Sequence, residues 1–148
     1  SFVKSKKKLA QGYLTTTPNS WTVRIRIEND EKAWITLKMP FKDISNYEFE
    51  YQVPSNDGAL LLDLSENKLC KTRYEVNWEN NLWSIDCFKE ENNSLVIAEI
   101  ELNSEKEALN KPIWCGEEIT GLYKWSNASL AKLPISEWSI KNRLEENS

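Results

Sequence analysis

Charged side chains recur in this sequence as pairs two residues apart, each pair enclosing one uncharged residue. Four stretches show the pattern fully and a fifth shows it in weaker form: Arg24-Ile25-Arg26, Glu48-Phe49-Glu50, Lys71-Thr72-Arg73, Glu99-Ile100-Glu101 and Ser84-Ile85-Asp86. Residues two apart on a β-strand point to the same face, so each stretch predicts a strand with one charged side. Charge is buried only when it is paired or used, so charged sides that face one another predict a binding cavity.

Ten side chains of these and neighbouring stretches can act together if the charged sides face inward. Five are cations and five are carboxylates: Arg24, Arg26, Lys38, Lys71 and Arg73, with Glu48, Glu50, Asp86, Glu99 and Glu101. Arginine and lysine bind phosphate oxygens, and carboxylates hold Mg²⁺ or Mn²⁺, which prefer oxygen ligands. A solvated strand face explains any single pair, but several pairs in one short chain favour a cavity for a highly charged ligand.

The residues around the charged pairs predict a mainly β protein. Apolar and polar residues alternate over several stretches, and turn residues such as Asn29-Asp30-Glu31 separate them. The predicted strands are 22–28, 34–38, 47–53, 71–78, 83–88, 96–102 and 118–124. With their polar sides inward they predict a closed or nearly closed antiparallel barrel, whose apolar outside is covered by helices and tryptophans.

Few helices are expected, and each has a residue that can cap its first turn. They are a helix from Asn56 or Asp57 to about Asn67, a short one after the capping box Ser104-Glu105-Lys106-Glu107, and a C-terminal one over about 136–146 capped by Ser136. The first should lie against the apolar outside of the sheet. The run Ser5-Lys6-Lys7-Lys8 is interpreted as a solvated turn or helix end.

Length and composition fit one globular domain over residues 1–148. The net charge is −4 and the pI is about 5.1, which argues against a nucleic-acid partner held by counterion release. Cys70, Cys87 and Cys115 match no zinc spacing, and the absence of His excludes Ser-His and Cys-His catalysis. With no apolar run for a membrane span and no signal peptide, we expect a cytoplasmic protein with reduced cysteines. The assembly state is left open, with a homodimer as one option.

Eight motifs follow one another in an order and spacing that resembles a known family. They are Gln11-Gly12-Tyr13-Leu14, Val23-Arg24-Ile25-Arg26, Thr36-Leu37-Lys38, Glu48-Phe49-Glu50-Tyr51, Lys71-Thr72-Arg73-Tyr74, Ile85-Asp86-Cys87-Phe88, Ala98-Glu99-Ile100-Glu101 and Gly116-Glu117-Glu118-Ile119-Thr120. Over about residues 11–134 the chain is similar to the CYTH domain, also called the triphosphate tunnel metalloenzymes, and most to its small single-domain bacterial branch. The resemblance implies an eight-stranded antiparallel tunnel barrel with a charged interior and a few peripheral helices.

The resemblance also implies an activity, which is divalent-metal-dependent hydrolysis of inorganic triphosphate, a small molecule. It implies that the triphosphate is bound by Arg24, Arg26, Lys38, Lys71 and Arg73, and that Mg²⁺ or Mn²⁺ is held directly or through water by Glu48, Glu50, Asp86, Glu99 and Glu101. Because the chain has no His, the base that activates water has to be a carboxylate, a lysine of lowered pKa or Tyr13. A catalytic Tyr13–Lys71 pair is one candidate, and Tyr13 as a core aromatic is the alternative.

Other functions stay open at this point. Members of the family hydrolyse thiamine triphosphate or make cyclic AMP from ATP, and all these substrates present the same triphosphate tail. The family's first strand, Glu-x-Glu-x-Lys, supplies metal ligands and is expected to be missing, because the chain as given begins after its place. That departure implies impaired metal binding and turnover, and it makes a non-catalytic polyphosphate- or nucleotide-binding module an alternative.

Overall fold

The computed structural model describes residues 2–42, 45–102 and 109–138. These residues form a seven-stranded antiparallel sheet in the order β4-β3-β2-β1-β5-β6-β7. The strands are β1 Val3–Thr16, β2 Thr22–Glu28, β3 Lys32–Pro40, β4 Asn46–Val53, β5 Asn67–Trp78, β6 Asn81–Phe88 and β7 Val96–Ile100. The helices are α1 Ser55–Leu64 and α2 Asn127–Lys132, with short 3₁₀ helices at Glu90–Asn92, Tyr123–Trp125 and Ile135–Glu137. The expectation of a mainly β protein with few helices is confirmed.

The central strand β1 joins two three-stranded meanders. Its residues 9–16 pair with β2, and its residues 3–13 pair with β5. The hairpins predicted between 22 and 38 and between 71 and 88 are confirmed as β2–β3 and β5–β6. Their turns contain Asn29, Asp30 and Asn80 at positive φ, a conformation that these short polar side chains tolerate.

Helix α1 lies on the apolar side of β2 and β3, as expected for the outside of the sheet. Ile25 and Ala33 on this side are almost completely buried. A Cβ added at Gly58 would overlap the methyl group of Ala33, so glycine lets α1 lie this close to the sheet. The helix ends at Leu64 and does not reach Asn67 as the sequence had predicted, because β5 begins there.

Two segments have a different structure from the one expected. The strand predicted over 118–124 is wrong, because Gly121 lies in a turn with a φ of +76° and the 3₁₀ helix Tyr123–Trp125 follows it. The lysine run was expected in a turn or helix end but lies within β1, where Lys6 pairs with Tyr74 and Lys7 with Arg73 of β5. Backbone pairing on β5 therefore keeps this segment extended although its side chains lack apolar alternation.

The sheet is open in the part of the chain that the structure describes, and the expectation of a closed barrel is wrong for that part. β4 and β7 form its edges and each pairs on one side. The strand predicted over 118–124, which would have added to the barrel, does not form. Neither the eighth strand nor the absence of a Glu-x-Glu-x-Lys strand is confirmed. The apolar side of β4 stays largely uncovered, since Tyr47, Phe49 and Tyr51 are all exposed.

Two expected helices concern residues outside the described ranges. The helix after the capping box falls on 103–108, and the C-terminal helix falls mostly on 139–148. Of the latter, residues 136 and 137 belong to the 3₁₀ helix Ile135–Glu137. In the ranges that are described, no helix has the length and apolar character needed to cross a membrane.

Candidate functional site

Strand register brings the predicted site residues to one side of the sheet, which we call the charged face. Residues directly opposite one another in paired strands share a face. The cross-strand sets on this face are Gln11–Arg26–Trp34–Gln52, Arg24–Thr36–Glu50, Lys38–Glu48, Arg73–Asp86 and Ser84–Glu99. Lys71 lies on the same face as Arg73, two residues away on β5. Glu101 is exposed beyond the end of β7, so the charged face holds all ten predicted residues except this one.

Four cations from the strands that flank β1 form the centre of the charged face. We call them the cationic cluster: Arg24 and Arg26 from β2, with Lys71 and Arg73 from β5. β1 places the apolar Leu9 and the neutral Gln11 between the two pairs. On the same side of β1, Lys7 lies opposite Arg73 and is paired with Glu28 of β2 at 3.6 Å. The cluster therefore concentrates positive charge at the middle of the sheet.

Arg26 is the least compensated member of the cluster. It has no ion pair within the described residues, and its Nε donates to Oε1 of Gln11 at 3.0 Å. Burial, and then the charges of Arg24 and Arg73, lower the pKa of Arg26 to about 10. A group whose cationic form is disfavoured in this way gains from a nearby anion.

Two further donors on the charged face are buried without a hydrogen-bond partner in the described part of the chain. They are Nε of Arg24 and the indole Nε1 of Trp34. An unpaired buried donor costs about 1–3 kcal/mol. The oxygens of an anion bound at the cationic cluster can accept from both donors.

Asp86 is the carboxylate that holds the two cations of β5. Its Oδ1 accepts from Nε of Arg73 at 2.7 Å, and its Oδ2 accepts from Nη2 of Arg73 at 2.9 Å and from Nζ of Lys71 at 2.5 Å. Burial raises the pKa of Asp86, but the hydrogen bond from Arg73 and the charge of Lys71 outweigh it, and the net shift is downward. Both oxygens of Asp86 are thus engaged by cations, and its part in a metal site stays a prediction.

Lys71 is enclosed more completely than the sequence had suggested. Its side chain is 0% exposed, compared with 11% for Arg24 and 22% for Arg73. Burial lowers the pKa of Lys71 to about 8, against the opposing effect of Asp86. The arginines can therefore be reached from the charged face, while Lys71, which Asn127 of α2 contacts, adds positive charge without being exposed.

The carboxylates of β4 make weaker contacts than Asp86. Thr36 links Glu50 to the cationic cluster, since its Oγ1 accepts from Nη2 of Arg24 at 3.1 Å and donates to Oε2 of Glu50 at 3.0 Å. Lys38 and Glu48 are 4.0 Å apart with both side chains well exposed. Such surface pairs contribute about 0–1 kcal/mol, so Glu48 is little constrained by its partner, whereas Glu50 is also 3.8 Å from Arg24.

The carboxylates predicted to hold a metal ion are not gathered in one place. Glu48 and Glu50 lie on the edge strand β4, Glu99 lies on the opposite edge strand β7, and Asp86 is occupied. Within the described ranges, no group of three or more Asp, Glu or Cys side chains converges as ion ligands do. The residues in this arrangement do not by themselves fit a divalent cation.

Tyr13 and Lys71 are not brought into contact. Tyr13 lies opposite Asn67 and Lys71 lies opposite Leu9, so about 13 Å of strand separates their positions. Tyr13 belongs to a buried apolar cluster with Leu69, Phe88 and Leu130. Its hydroxyl accepts from Nε2 of Gln11 at 3.3 Å, and burial raises its pKa. Tyr13 lies opposite Arg24 on the charged face, and the hydrogen bond and charge of Arg24 oppose the rise of its pKa. The structure gives Tyr13 the position of a core aromatic at the edge of the cationic cluster, and its catalytic role stays a prediction.

Several polar residues of the site were not singled out from the sequence. Thr36 and Trp34 precede Lys38 by two and four residues, so the period of a strand could have placed both on the charged face. Gln11 belongs to the motif Gln11-Gly12-Tyr13-Leu14, but nothing in its type or spacing indicates its contact with Arg26. Asn127, which approaches Lys71 from α2, had no signal in the sequence because the contact spans 56 residues.

Comparisons with known proteins identify the family of this chain. Residues 2–132 match the CYTH domain family model. A protein of Acetivibrio thermocellus named inorganic triphosphatase is 39% identical over 130 residues, covering 86% of this chain and 82% of that protein. One of the same name from Nitrosomonas europaea is 33% identical over 127 residues, covering 83% of each. The crystal structure of an inorganic triphosphatase superposes with a TM-score of 0.68 at 30% identity over 86% of both chains. The chain therefore belongs to the CYTH domain family.

Proposed function

We propose that this protein hydrolyses inorganic triphosphate on its charged face. The observation that carries the proposal is the cationic cluster, in which Arg26 is without an ion pair among the described residues. The two relatives named inorganic triphosphatase support it, since the chain covers more than four fifths of each. A linear triphosphate has several anionic oxygens, which match several cations placed side by side on neighbouring strands.

In this proposal the half-buried arginines Arg24, Arg26 and Arg73 bind the phosphate oxygens. Phosphoryl transfer spreads negative charge over the oxygens of the transferred group, and cations already in place stabilise that charge without reorganising. Asp86 keeps the guanidinium of Arg73 in a fixed orientation through two hydrogen bonds. Gln11 does the same for Arg26 through one. Lys71 is fully enclosed and contributes through its charge.

Membership of the family implies dependence on a divalent cation, and we propose Mg²⁺ or Mn²⁺ because both prefer oxygen ligands. Such an ion would supply neutralisation of phosphate charge and activation of water, although the described residues do not by themselves form a site for it. The roles of Glu48, Glu50, Glu99 and Glu101 toward it stay predictions, since the described carboxylates lie on opposite edges of the sheet or beyond them.

The test is a phosphate-release assay on inorganic triphosphate with Mg²⁺ or Mn²⁺. Arg26→Met should lower kcat/KM about 100-fold, since hydrogen bonds to a charged group contribute about 1.5–3 kcal/mol. Lys6→Met is the matched control, because it removes one positive charge from the opposite side of β1, where Lys6 lies over Tyr74. The proposal fails if the wild-type chain releases no phosphate, or if both variants lose activity equally.

A non-catalytic triphosphate-binding module is the second candidate. The described carboxylates do not converge, and this favours the second candidate. Binding of triphosphate needs only the cations, whereas the hydrolysis that family membership implies needs a divalent metal ion. Calorimetric titration of inorganic triphosphate into the wild-type chain separates the two candidates. Tight binding that depends on Arg26, without phosphate release under any metal condition, would establish the module.

A further inference from the structure

Helix α2 brings a polar side chain from far along the chain to the most deeply buried cation of the site. Asn127, the first residue of α2, has its Oδ1 3.4 Å from Nζ of Lys71. An ammonium group has three donors, and its other acceptor is Oδ2 of Asp86 at 2.5 Å. Asn127 therefore provides one of the two acceptors that the described residues offer to a fully enclosed cation.

The position of Asn127 is set by contacts at both ends of its helix. The hydroxyl of Ser126 caps the first turn of α2. Leu130, which is completely buried, packs into the apolar cluster that contains Tyr13. Asn92 donates from Nδ2 to the carbonyl oxygen of Leu130 at 3.1 Å and accepts from the backbone N–H of Ile135 at 2.9 Å. The approach of Asn127 to Lys71 is thus part of a packed arrangement and not of a free loop.

We propose that Asn127 is a positioning residue for the reaction on the charged face, an inference that rests on the proposed function. Lys71 and Arg73 bind the same carboxylate, so the place of the Lys71 ammonium helps to set the place of Asp86. Asp86 in turn orients the guanidinium of Arg73, which is open to the charged face. Asn127 acts on the substrate through Lys71, Asp86 and Arg73 and does not touch it.

Three variants test the inference in the phosphate-release assay on inorganic triphosphate. Asn127→Ala should lower kcat about tenfold, the low end for a hydrogen bond to a charged group because 3.4 Å is long, with a smaller change in KM. Asn127→Asp keeps an acceptor oxygen in the same place and should restore most of kcat. Ser126→Ala is the matched control, because it removes the cap of α2 without removing a contact to Lys71.

Each variant is also followed by thermal unfolding, so that a structural effect is distinguished from positioning. The inference stands if Asn127→Ala lowers kcat more than Ser126→Ala does at a similar loss of Tm. It is overturned if the two variants lose kcat in proportion to Tm, if Asn127→Asp fails to recover kcat, or if Asn127→Ala is fully active.

A second readout keeps the contact testable if the proposed function fails. The ¹⁵Nζ resonance of Lys71, assigned by its absence in Lys71→Met, should shift in Asn127→Ala and stay in place in Ser126→Ala. An unchanged resonance in Asn127→Ala overturns the inference whatever the activity. If the wild-type chain binds triphosphate without hydrolysing it, a weaker affinity of Asn127→Ala supports the positioning role, and an unchanged affinity overturns it.

Discussion

Asp86 is the position at which two explanations of the site make opposite predictions. As an anchor for cations it stabilises the folded chain at all times, whereas as a metal ligand it matters only when the ion is bound. Asp86→Ala removes the acceptor of three hydrogen bonds and leaves the fully enclosed Lys71 without its counter-charge. These contacts favour the role of an anchor.

The expected loss can be estimated from the burial of the pair. Breaking a buried ion pair by removing one partner costs about 3–5 kcal/mol. Because Asp86 serves both Lys71 and Arg73, we expect about 4 kcal/mol for Asp86→Ala. In a chain of this size each kcal/mol lowers Tm by about 2–4 °C, so the expected loss is about 8–16 °C.

The assay is urea unfolding followed by tryptophan fluorescence, with a chelator present throughout. Glu48→Ala is the matched control, because its carboxylate is exposed and 4.0 Å from Lys38, and it should change the free energy of unfolding by less than about 1 kcal/mol. A loss below about 1 kcal/mol for Asp86→Ala in chelator, with a larger loss only when metal is added, would refute the assignment of Asp86 as an anchor.

The same variant has a pH signature. The pKa of Asp86 is lower in the folded chain than in the unfolded chain, so its stabilising effect is full at neutral pH. That stabilising effect is lost as pH falls from about 4, the ordinary pKa of an aspartate, through the lowered pKa of Asp86 in the folded chain. The difference between wild type and Asp86→Ala should therefore shrink in acid, and a constant difference would contradict the ion-pair explanation.

Three other outcomes are expected. Gly58→Ala should lower the free energy of unfolding by about 1–3 kcal/mol, because the new methyl group overlaps Ala33. Gly116→Ala is the control, since its new methyl group meets no atom within 4 Å and should leave Tm unchanged. Equal melting curves for the two variants would contradict this expectation. Triphosphate affinity measured by calorimetry should fall as pH rises through about 8, since burial lowers the pKa of Lys71 to about 8 and its ammonium then loses charge. An affinity that is flat across that pH would show that Lys71 contributes nothing. Trp34→Phe should weaken triphosphate binding about fivefold by removing the unpaired indole N–H, and an unchanged Kd would show that no phosphate oxygen accepts from it.

Side-chain alternation was sufficient to predict the charged face. The period of a strand is two, so Arg24 and Arg26 had to share a side, and any register that buried Ile25 against a helix put both arginines on the other side. The hairpin β2–β3 then placed Lys38 on the same side through local pairing. These inferences depended on residues close together in the chain, which is why they were right.

The parts that were missed depend on contacts between distant segments. The enclosure of Lys71 comes from α2, which follows it by more than 50 residues. The lysine run is extended because β5 pairs with it, and its side chains alone do not predict a strand. The convergence of carboxylates was inferred from a closed barrel, and the open sheet leaves Glu50 and Glu99 on separate edges.

The central place of β1 links ligand binding to folding. Arg24 and Arg26 arrive with one meander and Lys71 and Arg73 with the other, so like charges approach as the second meander pairs with β1. A polyvalent anion that binds only the assembled sheet offsets this repulsion and stabilises the folded chain by mass action, by about 2.7 kcal/mol at 100 times its Kd. Bound triphosphate thus also stabilises the association of the two halves of the fold. The resistance of the chain to unfolding and proteolysis should therefore rise with the concentration of triphosphate.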